Sequence, residues 1–176
     1  MEEKLLPAED QEAEKNLPLQ TKEETSNSSV AKSFAQFDVT LLKGKNTFGK
    51  EEKLKSKKII DQLFKEGKSV STNGFTLVYL VQPLPTFYPA QAGFSVPKKF
   101  FKHAVDRNRV KRLMREAYRL KKVSFYEKLA ERKTQIAMMF IYKGKTLPKH
   151  EVVSKAVETC LKKLVAWIIF ELWVLK

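Results

Sequence analysis

The stretch Gly93-Phe-Ser-Val-Pro-Lys-Lys-Phe-Phe-Lys-His-Ala-Val-Asp-Arg-Asn-Arg-Val-Lys-Arg-Leu-Met-Arg-Glu-Ala-Tyr-Arg119 joins a strand pattern to a helix pattern and holds most of the chain's chemical character. Ala92, Phe94 and Val96 alternate with Gly93 and Ser95, as in a strand that Pro97 ends or bends. Asp106 is a good N-cap, which predicts a helix from Arg107 onward. At about 100° per residue, Val110, Leu113, Met114 and Ala117 share one face and must meet a core. Asn108, Arg112, Arg115 and Arg119 fall on the opposite face, flanked by Lys111 and Lys122, with Arg107 and Arg109 toward its edges. Like charges at i, i+4 repel by a few tenths of a kcal/mol per pair, and only Glu116 is placed to relieve them locally.

Upstream, structure begins around Leu54. Ser56 is a plausible N-cap for a short helix whose stripe is Ile59, Ile60, Leu63 and Phe64, and Gly67 stands where a helix end favours a left-handed residue. Phe75 to Val81 reads as a strand apolar on both faces and therefore covered on both. Pro83, Pro85 and Pro89 make the following segment a loop. Downstream, Ile136 to Tyr142 is another strand, Gly144 and Pro148 bracket a turn, and Val152, Val153, Ala156, Val157, Cys160, Leu161 and Leu164 give a long helical stripe. The order describes an α/β (α+β) two-layer sandwich, a small mixed sheet with helices packed on it.

The bulk numbers agree with a binding protein. The chain has 176 residues and a formal net charge of +14, which favours polyanionic partners, nucleic acid before anionic membrane. Residues 1–40 hold nine acidic and four basic side chains, so the basic field belongs to the rest of the sequence. We expect residues 1–45 to be a disordered acidic tail, dispensable for fold and activity, because they bring too little apolar surface to offset the entropy of ordering. Residues 46–164 then form a basic domain suited to binding nucleic acid and 165–176 an apolar helical extension, open to a protein partner or to self-association. One cysteine, Cys160, excludes an internal disulfide framework and suits a reducing compartment. With no secretory pattern and no run of about 18 apolar residues, the expected location is the cytoplasm.

The central motif resembles the signature of the bacterial ribonuclease P protein component. The Arg-Asn-Arg core and the Lys-Arg that follows it are matched by Arg107, Asn108, Arg109, Lys111 and Arg112, downstream of Gly93-Phe-Ser-Val-Pro-Lys-Lys. Leu54-Lys-Ser, the Leu63-Phe64 pair and Gly67-Lys-Ser extend the likeness, which covers about residues 47–164. The resemblance implies a ribonucleoprotein that removes the 5′ leader of precursor tRNA, with hydrolysis performed by a catalytic RNA and no catalytic residue in this chain. It implies magnesium required by the RNA and no cofactor or metal held by the protein. It places contacts with the catalytic RNA at Lys98, Lys99, Arg107, Asn108, Arg109, Lys111, Arg112 and Arg115. It places a leader-binding cleft between the first helix and the sheet, using Ile60, Phe64, Phe75, Tyr79 and Ser95. Tyr79 depends on register, since a shift of one residue moves it to the other face. Phe64 is equally compatible with core packing. The resemblance further implies a left-handed β-α-β crossover, where pattern alone predicts the common right-handed one.

Other chemistries find little support. His103 and His150 are the two histidines, and with one cysteine they make no zinc site of standard type. Between residues 95 and 130 the carboxylates are Asp106, Glu116 and Glu127, a poor set for a metal-dependent nuclease. Two rival readings stand beside the first: a stand-alone or ribosome-associated RNA-binding protein, and a peripheral membrane protein suggested by Trp167, Ile168, Ile169, Phe170, Leu172, Trp173, Val174 and Leu175.

Overall fold

A computed structural model of the chain describes residues 46–174, with side chains through Phe170. The expectation that residues 1–45 form a tail lies outside these residues.

Helix α1, Lys57–Glu66, starts as the sequence predicts: the Ser56 hydroxyl accepts a hydrogen bond from the Ile59 amide at 3.5 Å. Its end differs from expectation. Gly67 is extended, with φ −71° and ψ 147°, and the chain runs directly into strand β1, Lys68–Thr72. Glycine is required there for space rather than handedness, because a Cβ would lie 2.1 Å from the Leu63 carbonyl oxygen. The sequence reading missed β1, whose Lys-Ser-Val-Ser-Thr has one buried residue, Val70. Asn73 and Gly74, at φ 41° and 78°, join it to strand β2, Phe75–Val81, in the tight turn that Asn-Gly favours.

A proline-containing loop follows, organised by the Gln135 side chain. Its amide nitrogen donates to the Thr86 and Tyr88 carbonyls, and its oxygen accepts from the Leu84 amide at 2.9 Å. Strand β3, Ala90–Ser95, helix α2, Ala104–Glu131, strand β4, Ile136–Tyr142, and helix α3, His150–Val174, complete the order. The sheet runs β1-β2-β4-β3, antiparallel at the first two junctions and parallel between β4 and β3. Main chain from Glu52 to Leu54 covers the outer edge of β3: the Ala92 amide donates to Glu52 at 2.8 Å, and the Leu54 amide to Ala92 at 3.1 Å.

Helices α2 and α3 form the second layer. Val110, Met114, Ala117 and Tyr118 of α2 and Val153, Val157 and Leu164 of α3 pack with Phe75, Leu77, Met138 and Phe140 in the main core. On the opposite face, Leu63 with Ile59 and Ile60 of α1 covers Val78, Leu80, Ala137, Met139 and Ile141. α3 continues unbroken through the apolar C-terminal run, burying Val165 and Ile168 in the main core while Trp167 and Phe170 stay 49% and 59% exposed.

Candidate nucleic-acid interface

Two surfaces meet the sequence-based site. The first is the outer face of α2. This helix begins at Ala104, not Arg107; His103 stands at the cap without a side-chain bond, and Asp106 lies in the first turn. In its first turn the Arg107 guanidinium donates to the Phe101 and Lys102 carbonyls at 2.9 and 2.6 Å and ties the incoming loop to the helix. Asp106 still suits its place, since a carboxylate is favoured beside the positive end of a helix.

Beyond that turn, Asn108, Arg109, Arg112 and Arg115 are exposed, Lys111 is half-buried, and Lys98 and Lys99 are exposed in the preceding loop. Asn108, Arg109 and Arg112 line a shallow recess of about 410 Å³ with Val105 and Leu113. Among the described residues, none of Arg109, Arg112 and Arg115 has a carboxylate partner. Arg119 differs: it bonds both oxygens of Glu116 and the Asn46 carbonyl. Its bond to Glu116 holds that carboxyl below its usual range. Lys122, read from sequence as flanking the cationic stripe, is instead fully buried. Its ammonium pairs with Glu52, which also accepts from the Tyr126 hydroxyl at 3.0 Å. Periodicity alone does not foretell this, since at about 100° per residue Lys122 lies about 20° from Arg115 and about 40° from Tyr118; the Glu52 carboxylate decides it.

The second surface lies around α1. Phe64 is 54% exposed, so it is not a core residue, and Ile60 is half-buried against the sheet. Ser95 pairs in register with Ile141, whose side chain belongs to the α1 side. Phe75 and Tyr79 must be removed from this cleft. Both are buried in the main core on the opposite face, Phe75 with its ring 4.6 Å from that of Tyr142, and burial raises the Tyr79 phenol above its ordinary range. Alternation gives the α1 side to Thr76, Val78 and Leu80. Pairing through the tight Asn73-Gly74 turn sets Val70 of β1 opposite Leu77, on the same face as Phe75 and Tyr79.

Elsewhere the chemistry is sparse. Among the described residues, no group of three His, Cys, Asp or Glu side chains could hold a metal ion. A recess of about 200 Å³ between α2 and α3, with Phe125 and Val165 in its lining, is bridged by Glu158, which pairs with Lys121 at 2.9 Å and Lys162 at 2.8 Å. Among the described residues no helix is long and apolar enough to cross a membrane.

A small mixed sheet backed by a helix with an arginine-rich outer face defines a protein of the α+β class whose exposed charge on α2 suits polyanionic ligands. The family model Ribonuclease P matches residues 48–165. The ribonuclease P protein component of Porphyromonas gingivalis is 36% identical over 120 residues, covering 67% of this chain and 88% of that protein. That of Chlorobium phaeobacteroides is 34% identical over 129 residues, covering 68% and 88%. The chain belongs to the ribonuclease P protein family. Its function is therefore that of a protein subunit in tRNA 5′-end processing by an endoribonuclease. In fold it is similar to the RNase P protein of Staphylococcus aureus, with a TM-score of 0.53 at 21% identity, covering 65% of this chain and 96% of that one. The Thermotoga maritima RNase P protein gives 0.52 at 22% identity, covering 63% and 96%.

Proposed function

We propose that the outer face of α2 holds the catalytic RNA of the holoenzyme while the α1 side of the sheet receives the 5′ leader of precursor tRNA. The observation that carries this is the row Asn108, Arg109, Arg112 and Arg115, solvent-facing on a helix whose other side is locked into the core by Val110, Met114 and Ala117. Guanidinium groups held on a rigid element make good bidentate phosphate contacts. Lys98, Lys99 and Lys111 extend the field, while Arg107 acts mainly by fixing the loop that presents the two lysines. On the other surface, Phe64 and the partly exposed Ile60, with Ser95, Val78 and Leu80 nearby on the same side, provide an apolar ledge. An exposed aromatic stacks on an unpaired base with little sequence preference, worth about 1–3 kcal/mol.

Hydrolysis belongs to the RNA. The magnesium ions it needs would be held there by phosphate oxygens, which are hard ligands for a hard cation. The site of action is the cytoplasm.

Reconstitution with a bacterial ribonuclease P RNA at physiological magnesium tests the reading. Precursor cleavage should require both components. Phe64→Ala should weaken precursor tRNA binding by about tenfold, leave mature tRNA binding unchanged, and alter stability by less than about 0.5 kcal/mol, as an exposed site allows. Cleavage by the protein alone, or equal loss for precursor and mature tRNA, would overturn it.

A further inference from the structure

The residues that precede Asn46 join the folded body beside the proposed RNA surface. The Asn46 carbonyl accepts from Arg119 of α2. Two residues later, the Phe48 ring packs edge-on against Tyr118 at 5.6 Å and Phe94 at 5.8 Å. Glu52, buried against Lys122 and Tyr126, completes the attachment. The junction is thus fixed to the middle of α2, about 18 Å along the helix axis from Arg107 at about 1.5 Å per residue.

The sequence beyond that junction has the complementary charge. Residues 1–24 contain eight carboxylates, in the close groups Glu2-Glu3, Glu9-Asp10, Glu12 with Glu14, and Glu23-Glu24, against Lys4, Lys15 and Lys22. A chain reaches up to about 3.3–3.6 Å per residue, so the 22 positions between Asn46 and Glu24 far exceed the distance needed.

We propose that the acidic segment 1–24 occupies the Asn108–Arg115 face of α2 when RNA is absent and must be displaced for RNA to bind. The proposal rests on α2 being the RNA surface. Each exposed ion pair is weak, at about 0–1 kcal/mol, but attachment at Asn46 supplies an effective concentration on the order of millimolar. A competitor of this kind lowers the affinity of every RNA that needs the face by one common factor. Weak, non-specific RNA then falls below saturation while the tightly bound catalytic RNA does not.

The test compares the full chain with a full-length variant in which the eight carboxylates become Gln or Asn, using a bacterial ribonuclease P RNA as probe. The variant should bind about three- to tenfold tighter at 50 mM salt, and the difference should nearly vanish at about 0.5 M, where screening is complete within a few ångströms. A spin label on Ser26→Cys, with the native Cys160 buried, should broaden the amide signals of Asn108, Arg112 and Arg115 until RNA is added. Equal affinities with no broadening would overturn the proposal and leave the RNA reading intact. Tighter binding without broadening would reduce the effect to long-range charge and also overturn docking, as would weaker binding by the neutralised chain. Broadening in a protein that binds no RNA would instead sink the RNA reading and with it the competition.

Discussion

Lys122 and Glu52 are both removed from solvent, and each satisfies the other. Tyr126 donates to the same Glu52 oxygen, Tyr118 donates to Tyr126 at 3.2 Å, and the Gly49 amide donates to the second carboxylate oxygen at 2.6 Å. Burial raises the phenols of Tyr118 and Tyr126 well above their ordinary range, so both remain proton donors at neutral pH. Such a network adds little net stability over an apolar replacement, yet losing one charge leaves the other stranded. Lys122→Met should therefore cost about 3–5 kcal/mol in urea unfolding, and adding Glu52→Gln should recover part of that loss. A single variant costing under about 1 kcal/mol would mean that water reaches the carboxylate. Helical position sets Lys122 beside the exposed arginine stripe; the fold draws it inward because it brings a counter-charge, Glu52, from 70 residues away.

Between elements, small residues and single carboxylates set the joints. The α1–β1 joint leaves no room for a side chain at Gly67, where the added Cβ meets backbone rather than a flexible tip. Gly67→Ala should destabilise the fold by about 1–3 kcal/mol, as overpacking does, although its φ of −71° suits alanine. The measurement is chemical denaturation; an unchanged midpoint would show that α1 shifts freely. The α2–α3 joint holds Glu158, whose carboxyl is lowered from an ordinary 4.5 to about 2, first by its bond to Lys162 and then by that to Lys121. A lowered carboxyl contributes stability fully above its unfolded pKa and loses it as pH falls through the folded one. Thermal melts of Glu158→Gln should thus lie slightly below those of the parent at neutral pH. The gap should close between about pH 4.5 and 2, and a gap that persisted at pH 2 would contradict the assignment. The effect should be modest, since the group is exposed and screened.

On the scale of the whole molecule, whose net charge is +14, Arg109, Arg112 and Arg115 stand exposed on one side of α2, while the apolar ledge near Phe64 lies on the far side of the sheet. The two surfaces should respond differently to salt. Assembly with the catalytic RNA releases counterions, so its affinity should fall by about 0.7–0.9 log units per log unit of salt for each phosphate neutralised. Arg112→Ala with Arg115→Ala should weaken assembly and flatten that slope by roughly one to two. Phe64→Ala should leave the slope unchanged. An unaltered slope in the double arginine variant would show that these side chains do not meet phosphates.

The sequence alone determined the parts that local chemistry controls. Periodicity located α1, β2, β3, α2, β4 and α3; Ser56 marked a helix start; and the Arg-Asn-Arg motif with its neighbours pointed to the family. Tertiary structure decided what depends on partners distant in the chain. It made β1 a strand although Lys-Ser-Val-Ser-Thr has almost no apolar signal, because pairing with β2 supplies the hydrogen bonds that its side chains do not advertise. It turned Phe75 and Tyr79 into the main core, because strand register assigns alternate residues to opposite faces and a run apolar on both sides does not reveal which is which. It drew Lys122 inward and tied Arg119 to Asn46, because burial of a charge is settled by whether the fold brings it a counter-charge or a carbonyl.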